Sequence, residues 1–292
     1  MLNTAQPPIP AGLTGPSTPT RNSGYDQNLF ERVLGGMNDP PTRVKSILLW
    51  RGFLVRQDAG RVFLCTGSPQ RDVEMLQRDG LHVQRIDGNP DHSAEILDTH
   101  SITDEVLYRV FTHPPIYGLS GLYDFGGVVN HGWPTFRACT FGAKVPVEVL
   151  EPGIALLVKV LPLLGLHTVD SCDGHLIAPP RIRFISKHHW NWARLVLPVF
   201  TGDCGDFARG WGFHLQRYLG QETGVWLLGQ DGCGTSVEKR FALYSAIQRL
   251  AVNIMEGGRA SRMREGKRRL RSPERLERAA GWRVKVLQHL EM

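Results

Sequence analysis

Apolar and polar positions along the chain fall into two rhythms, a short alternating one and a longer helical one, and these rhythms set the order of elements. The runs ILLW and GFLVRQ, a tight Asp58-Ala59-Gly60 turn and the run RVFLCTG predict a β-hairpin, because β-branched and aromatic residues in short runs flank a turn sequence. Ser68 before Pro69, Val73 and Leu76 on one side, and a stop at Gly80 predict a short helix leading into the strand LHVQRI. Together these form a small β-β-α-β unit. Thr103 caps a second helix that runs to Phe111 and ends before Pro114-Pro115. Between Thr112 and Pro134 periodicity fades, and the stretch is crowded with Gly, Tyr, His and Asp. Ordered loops of that length are uncommon and often functional.

The second half is more regular. TFRACTF and VPVEVL read as extended segments, and Pro152 opens a helix that Pro162 disturbs near Val160. HTVDSC and RIRFIS read as strands, Trp190 to Phe200 as a helix, and GWGFHLQRY and GVWLLGQ as further strands. A long helix from Ser236 to Met255 places Val237, Phe241, Tyr244, Ile247, Ala251 and Ile254 on one face, the spacing of an amphipathic helix against a sheet. The fold class expected from this order is α+β, with the small β-β-α-β unit, a split-βαβ (ferredoxin-like) core and a basic helical C-terminal tail. The expected divisions are a disordered leader over 1–24, an N-terminal α+β region with the long loop over 25–134, an α+β core over 135–257 and the tail over 258–292.

Composition narrows the class without naming an activity. The 292 residues are 41% hydrophobic and 21% charged, with 32 Gly and 19 Pro, an ordinary globular mixture that excludes collagen, coiled coil and wholesale disorder. No apolar run reaches the roughly 18 to 20 residues of a membrane span, and the N-terminus lacks the basic-then-apolar pattern of a secretory signal. A cytoplasmic protein with no membrane partner is therefore expected. Five scattered cysteines, Cys65, Cys139, Cys172, Cys204 and Cys233, suit reduced thiols or metal ligands better than a disulfide framework.

Charge is unevenly placed. The net +6 arises from 34 Lys and Arg against 28 Asp and Glu, and residues 255–292 alone hold eleven basic and five acidic groups. The rest of the chain is formally neutral. In the tail, Arg259 to Arg271 includes Arg262, Lys267, Arg268 and Arg269 with almost no apolar face, so it reads either as a solvated linker or as an arm for nucleic acid or another polyanion. An acidic protein partner would be attracted equally. A final helix starts at Ser272-Pro273-Glu274.

The densest chemical signal is Ser171-Cys172-Asp173-Gly174-His175 at the end of an apolar strand. A thiol and an imidazole three residues apart on a glycine-containing turn can converge on one zinc ion, with Cys204 as a further ligand. Alternatively Cys172 is a nucleophile with His175 as its base and Asp173 as a polar contact. Flanking Asp170 and Asp173 oppose thiolate formation. Burial of an ordinary structural Cys, with a turn His bonded to backbone, carries about equal weight. Over the turn itself the pattern resembles the strand-Ser-Cys-x-Gly-basic motif of the wybutosine-synthesis methyltransferase family that modifies transfer RNA. His175 stands where that family carries arginine, and no function is transferred on so short a match.

Three other places hold candidate contacts. Gly229 to Ser236 follows an apolar strand and opens the long helix, so Gly232, Gly234, Thr235 and Ser236 suit an anion or phosphate contact at a helix start; without a Walker lysine, nucleoside triphosphate hydrolysis is excluded. Arg181 and Arg183 project to one side of their strand and Ile182 with Phe184 to the other, so the arginines line an open sheet face. Trp190, Trp192, Trp211 and Trp226 read as base-stacking groups or, more commonly for Trp, as core. The function expected is binding of nucleic acid or a phosphorylated ligand, with a polar Cys/His/Asp site in the core. The alternatives are a metal-assisted hydrolase or thiol-dependent transferase at Cys172 and His175, and a non-catalytic assembly protein docked to an acidic partner.

Overall fold

The computed structural model describes residues 23–65, 70–88, 92–114, 146–174, 178–184, 186–202, 204, 210–218, 221–229 and 236–257. Most of the leader, most of the long loop and the basic tail lie outside these residues. Two four-stranded antiparallel sheets and seven α-helices make up the described part, an α+β protein. None of the described helices is long and apolar enough to cross a membrane.

The chain opens with two helices, α1 (Ser23–Leu34) and α2 (Pro40–Arg51). The run ILLW, expected as a strand, is the last part of α2, and the reason is visible at its ends. Asp39 accepts a hydrogen bond from the Thr42 amide at 3.0 Å, Pro40 takes the first helical position, and Gly52 closes the helix in the left-handed region at φ 110°. Start and stop signals of this kind outweigh the strand propensity of Ile47. Val44, Ile47, Leu48 and Arg51 then share the buried face.

The first sheet contains β1 (Val55–Asp58), β2 (Arg61–Cys65), β3 (Val83–Arg85) and β4 (His92–Ile96) in the order β1-β2-β4-β3. The hairpin expected around Asp58-Ala59-Gly60 is present, with Asp58 opposite Arg61. Ala59 and Gly60 both take positive φ, 46° and 75°, the mirror-image turn that suits the twist of paired strands. Helix α3 (Gln70–Arg78) follows β2 as expected. Strand β4 has only a short polar-mixed run and was not among the expected elements; it inserts between β2 and β3 and makes the sheet fully antiparallel. Helix α4 (Asp104–Thr112) begins at the Thr103 cap.

Residues 147–149 of VPVEVL, expected extended, form a single 3-10 turn before α5 (Pro152–Val160). Pro162 does interrupt that helix, which continues as a 3-10 turn over Leu161–Leu164. The second sheet joins β5 (Thr168–Cys172), β6 (Arg181–Phe184), β7 (Gly212–Tyr218) and β8 (Gln221–Leu227) in the order β5-β6-β8-β7. Each pairing in it is antiparallel, so β6 and β7 run parallel to each other with β8 between them, the strand arrangement of a split βαβ unit. Helix α6 (Lys187–Val196), capped by Ser186, covers one face of this sheet. Trp190 presses so closely on β8 that a Cβ at Gly224 would meet its ring at 1.8 Å.

The long helix α7 (Val237–Gly257) packs chiefly on α5 and α1 rather than on a sheet. Tyr244, Ile247, Ala251 and Ile254 are buried there as the periodicity predicts, while Phe241 is only half-buried. Trp190, Trp192 and Trp226 are core residues.

Candidate functional site

Strand β5 lies at an edge of the second sheet and ends at Cys172, directly opposite Arg181 of β6. Register therefore puts Cys172, Arg181 and Arg183 on the same face and Ser171, Ile182 and Trp226 on the other. Arg181 is exposed, whereas Arg183 is half-buried and stands opposite the buried Val225 of β8. Beyond Cys172 the chain reverses at Gly174, whose φ of 84° belongs to the left-handed region. A Cβ there would stand 1.9 Å from the Ala178 carbonyl oxygen, and the Ala178 amide closes the turn on the Gly174 carbonyl at 2.9 Å. Only glycine fits this position. The Gly174 amide donates to the Cys172 sulfur at 3.3 Å.

The residue that completes the cluster comes from upstream. Glu151 occupies the N-cap position of α5, where its carbonyl accepts the Ala155 amide at 3.0 Å. Its side chain does not cap the helix but turns to accept the Asp173 backbone amide and the Cys172 thiol. One donor atom each from Glu151, Cys172 and Asp173 lies within 4.8 Å of the other two. Helix α7 holds the far side: Arg240 Nη1 and the Tyr244 hydroxyl donate to the Asp173 carbonyl oxygen at 3.2 and 3.4 Å. The Tyr244 ring in turn fills the space over Gly153, where a Cβ would meet it at 2.4 Å. Arg240 is only 1% exposed, and its Nε and Nη2 have no hydrogen-bond partner.

Three acids share this small space, and two of them, Glu151 and Cys172, are pushed up by it. Burial, followed by the neighbouring Asp173 charge, pushes the Glu151 carboxyl up to about 8, against the hydrogen bonds it accepts. Burial and then the Glu151 charge push the Cys172 thiol up to about 11, with Gly174 and Arg181 pulling the other way. A thiol held so high is a poor nucleophile at neutral pH. The same three groups form a donor set for a divalent cation, whose charge would remove the repulsion that raises both values. Tetrahedral zinc separates its ligand atoms by roughly 3.5 Å, so the cluster needs only a small closure.

The structure separates some of the sequence candidates. Cys172 and Asp173 meet, with Glu151, a residue that the sequence did not single out. Cys204 is fully buried elsewhere, its thiol donating to the Ala246 carbonyl at 3.5 Å. Ser236 precedes α7 and donates to Glu238 at 2.6 Å. His175, Gly232, Gly234, Thr235, Arg262, Lys267, Arg268 and Arg269 lie outside the described residues. Of the long-loop group, His113 caps the end of α4, its Nδ1 paired with the buried Asp79 at 2.8 Å, a contact that ties α4 to the end of α3. No protein-family model, curated protein or solved structure matches the chain.

Proposed function

We propose that the protein binds a borderline divalent cation of the zinc type through Glu151, Cys172 and Asp173, and through it a nucleic-acid phosphate or a phosphorylated ligand. The observation that carries this reading is the convergence of three acidic donors within 4.8 Å of one another, two of them half-buried and one buried. Thiolate and carboxylate together suit zinc, whereas carboxylates alone would suit magnesium or calcium. Three protein ligands leave a coordination position open, which is the arrangement of sites that engage a substrate. Arg181 stands exposed opposite Cys172 and supplies a cation for a second phosphate oxygen. His175, three residues beyond Cys172, is the sequence's own donor for the open fourth position, from which a phosphate oxygen would displace it.

Zinc titration by calorimetry, with metal content of the purified protein measured in parallel, tests the site. Saturable binding of one ion per chain, lost in Cys172→Ser and weakened in Glu151→Gln and His175→Ala, supports it. Undetectable zinc binding by the unmodified chain overturns it. The phosphate half is tested by anisotropy of a short labelled RNA: affinity that rises with zinc and falls in Arg181→Ala is expected, and zinc-independent affinity overturns it.

A specific observation favours a second reading, metal-assisted hydrolysis. The Glu151 carboxyl titrates at about 8, close enough to neutrality to exchange a proton with an attacking water. Cleavage of bis(nitrophenyl) phosphate that needs zinc and disappears in Glu151→Gln would support hydrolysis over binding alone, and no cleavage above the Glu151→Gln background would remove it.

A further inference from the structure

We propose that the cleft between α1, α2 and α7 is a second binding site, for a small planar aromatic anion that also carries a hydrogen-bond donor. The cleft encloses about 460 Å³, within the range of small-molecule sites. It uses a different stripe of α7 from the acid cluster: Phe241, Ser245 and Gln248 face it, whereas Arg240 and Tyr244 face Asp173. The proposal therefore stands without the metal site.

Three features set the ligand class. First, one wall is flat and aromatic. Trp50 and Phe241 stack with ring centroids 5.6 Å apart and planes 9° from parallel, and both rings are only partly buried. A planar ring extends such a stack. Second, the charged residues that line the cleft are basic. Arg32 and Arg249 line the cleft, and no carboxylate does so among the described residues. Arg32 pairs with Glu238 at 2.7 Å, an exposed bridge of small worth that a ligand anion can replace. Arg249 is exposed and takes part in none of the described ion pairs.

Third, Gln248, which lines the cleft, holds a buried acceptor with no donor among the described residues. The Gln248 side chain is in a residue 7% exposed, and its Nε2 donates to the carbonyls of Leu49 and Trp50 at 3.1 and 3.5 Å. Those two carbonyls fix the amide orientation. The Gln248 Oε1 is left buried with no partner, an arrangement that costs free energy until a donor arrives. A ligand N–H or O–H that reaches it removes that cost. Aromatic wall, guanidinium pair and orphan acceptor together define a ring, an anionic group and a donor on one small molecule.

Anilinonaphthalene sulfonate has all three features and is the probe. Fluorescence titration of the full chain, in the presence of a chelator, should show one saturable site. The uncharged phenylnaphthylamine and naphthalene sulfonate, which lacks the N–H, should each bind about tenfold more weakly. Arg249→Gln, a change at an exposed position, should weaken the sulfonates by a similar factor and leave phenylnaphthylamine unchanged. Ser245→Phe, which fills the cleft, should abolish binding of all three, with circular dichroism confirming the fold of both variants. Dye binding that survives both substitutions, or that the neutral or donor-free analogue matches in the unmodified chain, overturns the proposal.

Discussion

Helix α5 has a buried polar cluster near each end. Toward its C-terminus Lys159, with its ammonium out of water, donates to Asp72 of α3 at 2.6 Å, and the second Asp72 oxygen accepts the Val147 amide at 2.7 Å. Burial pulls the Lys159 pKa down, and Asp72 acts to hold it up. Around this pair, Arg51 donates to the carbonyls of Val147 and Leu150, and the buried Glu148 is paired with Arg71 and Arg78. Opposite charges meet, and the network clamps residues 147–150 to the first sheet's helix. At the N-terminus of α5, Glu151, Cys172 and Asp173 bring like charges together instead. In the first arrangement each buried carboxylate has a cationic partner within the fold, Asp72 with Lys159 and Glu148 with Arg71 and Arg78. In the second, Arg240 donates to the Asp173 backbone carbonyl, while the Asp173 charge bears on Glu151 and the Glu151 charge on Cys172. The difference is what singles out the second cluster as the one proposed to bind a cation.

The largest effect should come from breaking the completed pair. Asp72→Ala leaves Lys159 without its counter-charge and Val147 without an acceptor, and should cost about 3–5 kcal/mol in urea denaturation. The double change Asp72→Asn with Lys159→Met keeps an acceptor for Val147 and removes the buried charge, so most of that loss should be recovered. If Asp72→Ala costs less than about 1 kcal/mol, the Lys159 cluster is not the closed network described above, and the contrast fails on that side.

Next in size is the wall between the two clusters. Gly153→Ala would drive a methyl group into the Tyr244 ring, which stands 2.4 Å from that position. Overpacking of this kind costs about 1–3 kcal/mol. Because Tyr244 also holds the Asp173 carbonyl, the same change should weaken zinc binding. Gly202→Ala, where a Cβ would meet nothing within 4 Å, is the matched control and should change stability by less than about 0.5 kcal/mol. Equal effects from the two alanines would show that Tyr244 does not brace the site.

What the sequence made legible follows from the range of the interactions involved. The hairpin at Ala59-Gly60, the Thr103 cap and the break at Pro162 are decided within a few residues, and each is where the pattern placed it. The turn after Cys172 was legible for the same reason, since Gly174 answers to its own φ and to Ala178. Local signals also existed for α2, in Asp39, Pro40 and Gly52, but the apolar run before Gly52 concealed them. Glu151 carried no such signal. A carboxylate before Pro152 reads as a helix cap, and only the packing of α5 against β5 brings it to Asp173. Arg240 and Tyr244 lie still further along the chain, so their approach to the Asp173 carbonyl is a property of the tertiary fold. Strand β4 was hidden because its sequence has little strand character of its own; two neighbouring strands hold it in place.

The pH dependence of stability sharpens the contrast from the side of the acid cluster. In the native chain Glu151 holds its proton up to about 8, whereas an unperturbed glutamate loses it near 4.5. Across that interval the native state binds more protons than the unfolded state, so stability falls as pH rises from about 4.5 to about 8. Glu151→Gln removes this titration and should flatten the profile there, with little loss of stability at neutral pH, since the amide oxygen still accepts the Asp173 N–H. A saturating metal should reverse the trend, because binding displaces protons from Glu151 and Cys172 and gains strength with pH. Urea midpoints measured with and without chelator over this range decide the matter. A Glu151→Gln profile parallel to the unmodified one would remove Glu151 from the coupled set.

The smallest effect concerns the thiol. Because burial and the Glu151 charge hold Cys172 up to about 11, alkylation by iodoacetamide near neutral pH should be much slower in the native chain than in the unfolded one, and its rate should keep rising toward pH 11. Above about pH 8, where Glu151 is ionised, removing its charge lowers the thiol pKa, so Glu151→Gln should speed labelling of Cys172 about two- to tenfold at a fixed pH in that range. Zinc acts on the same atom in the opposite observable sense: it deprotonates the sulfur yet occupies its lone pair, so labelling should slow as metal is added. A neighbouring Arg181 alone would favour the thiolate and give fast labelling at neutral pH. Peptide mapping distinguishes Cys172 from the buried Cys65 and Cys204. Fast neutral-pH labelling of Cys172 would turn the cluster from a cation site into a nucleophile's environment, and the comparison between the two ends of α5 would then rest on Lys159 alone.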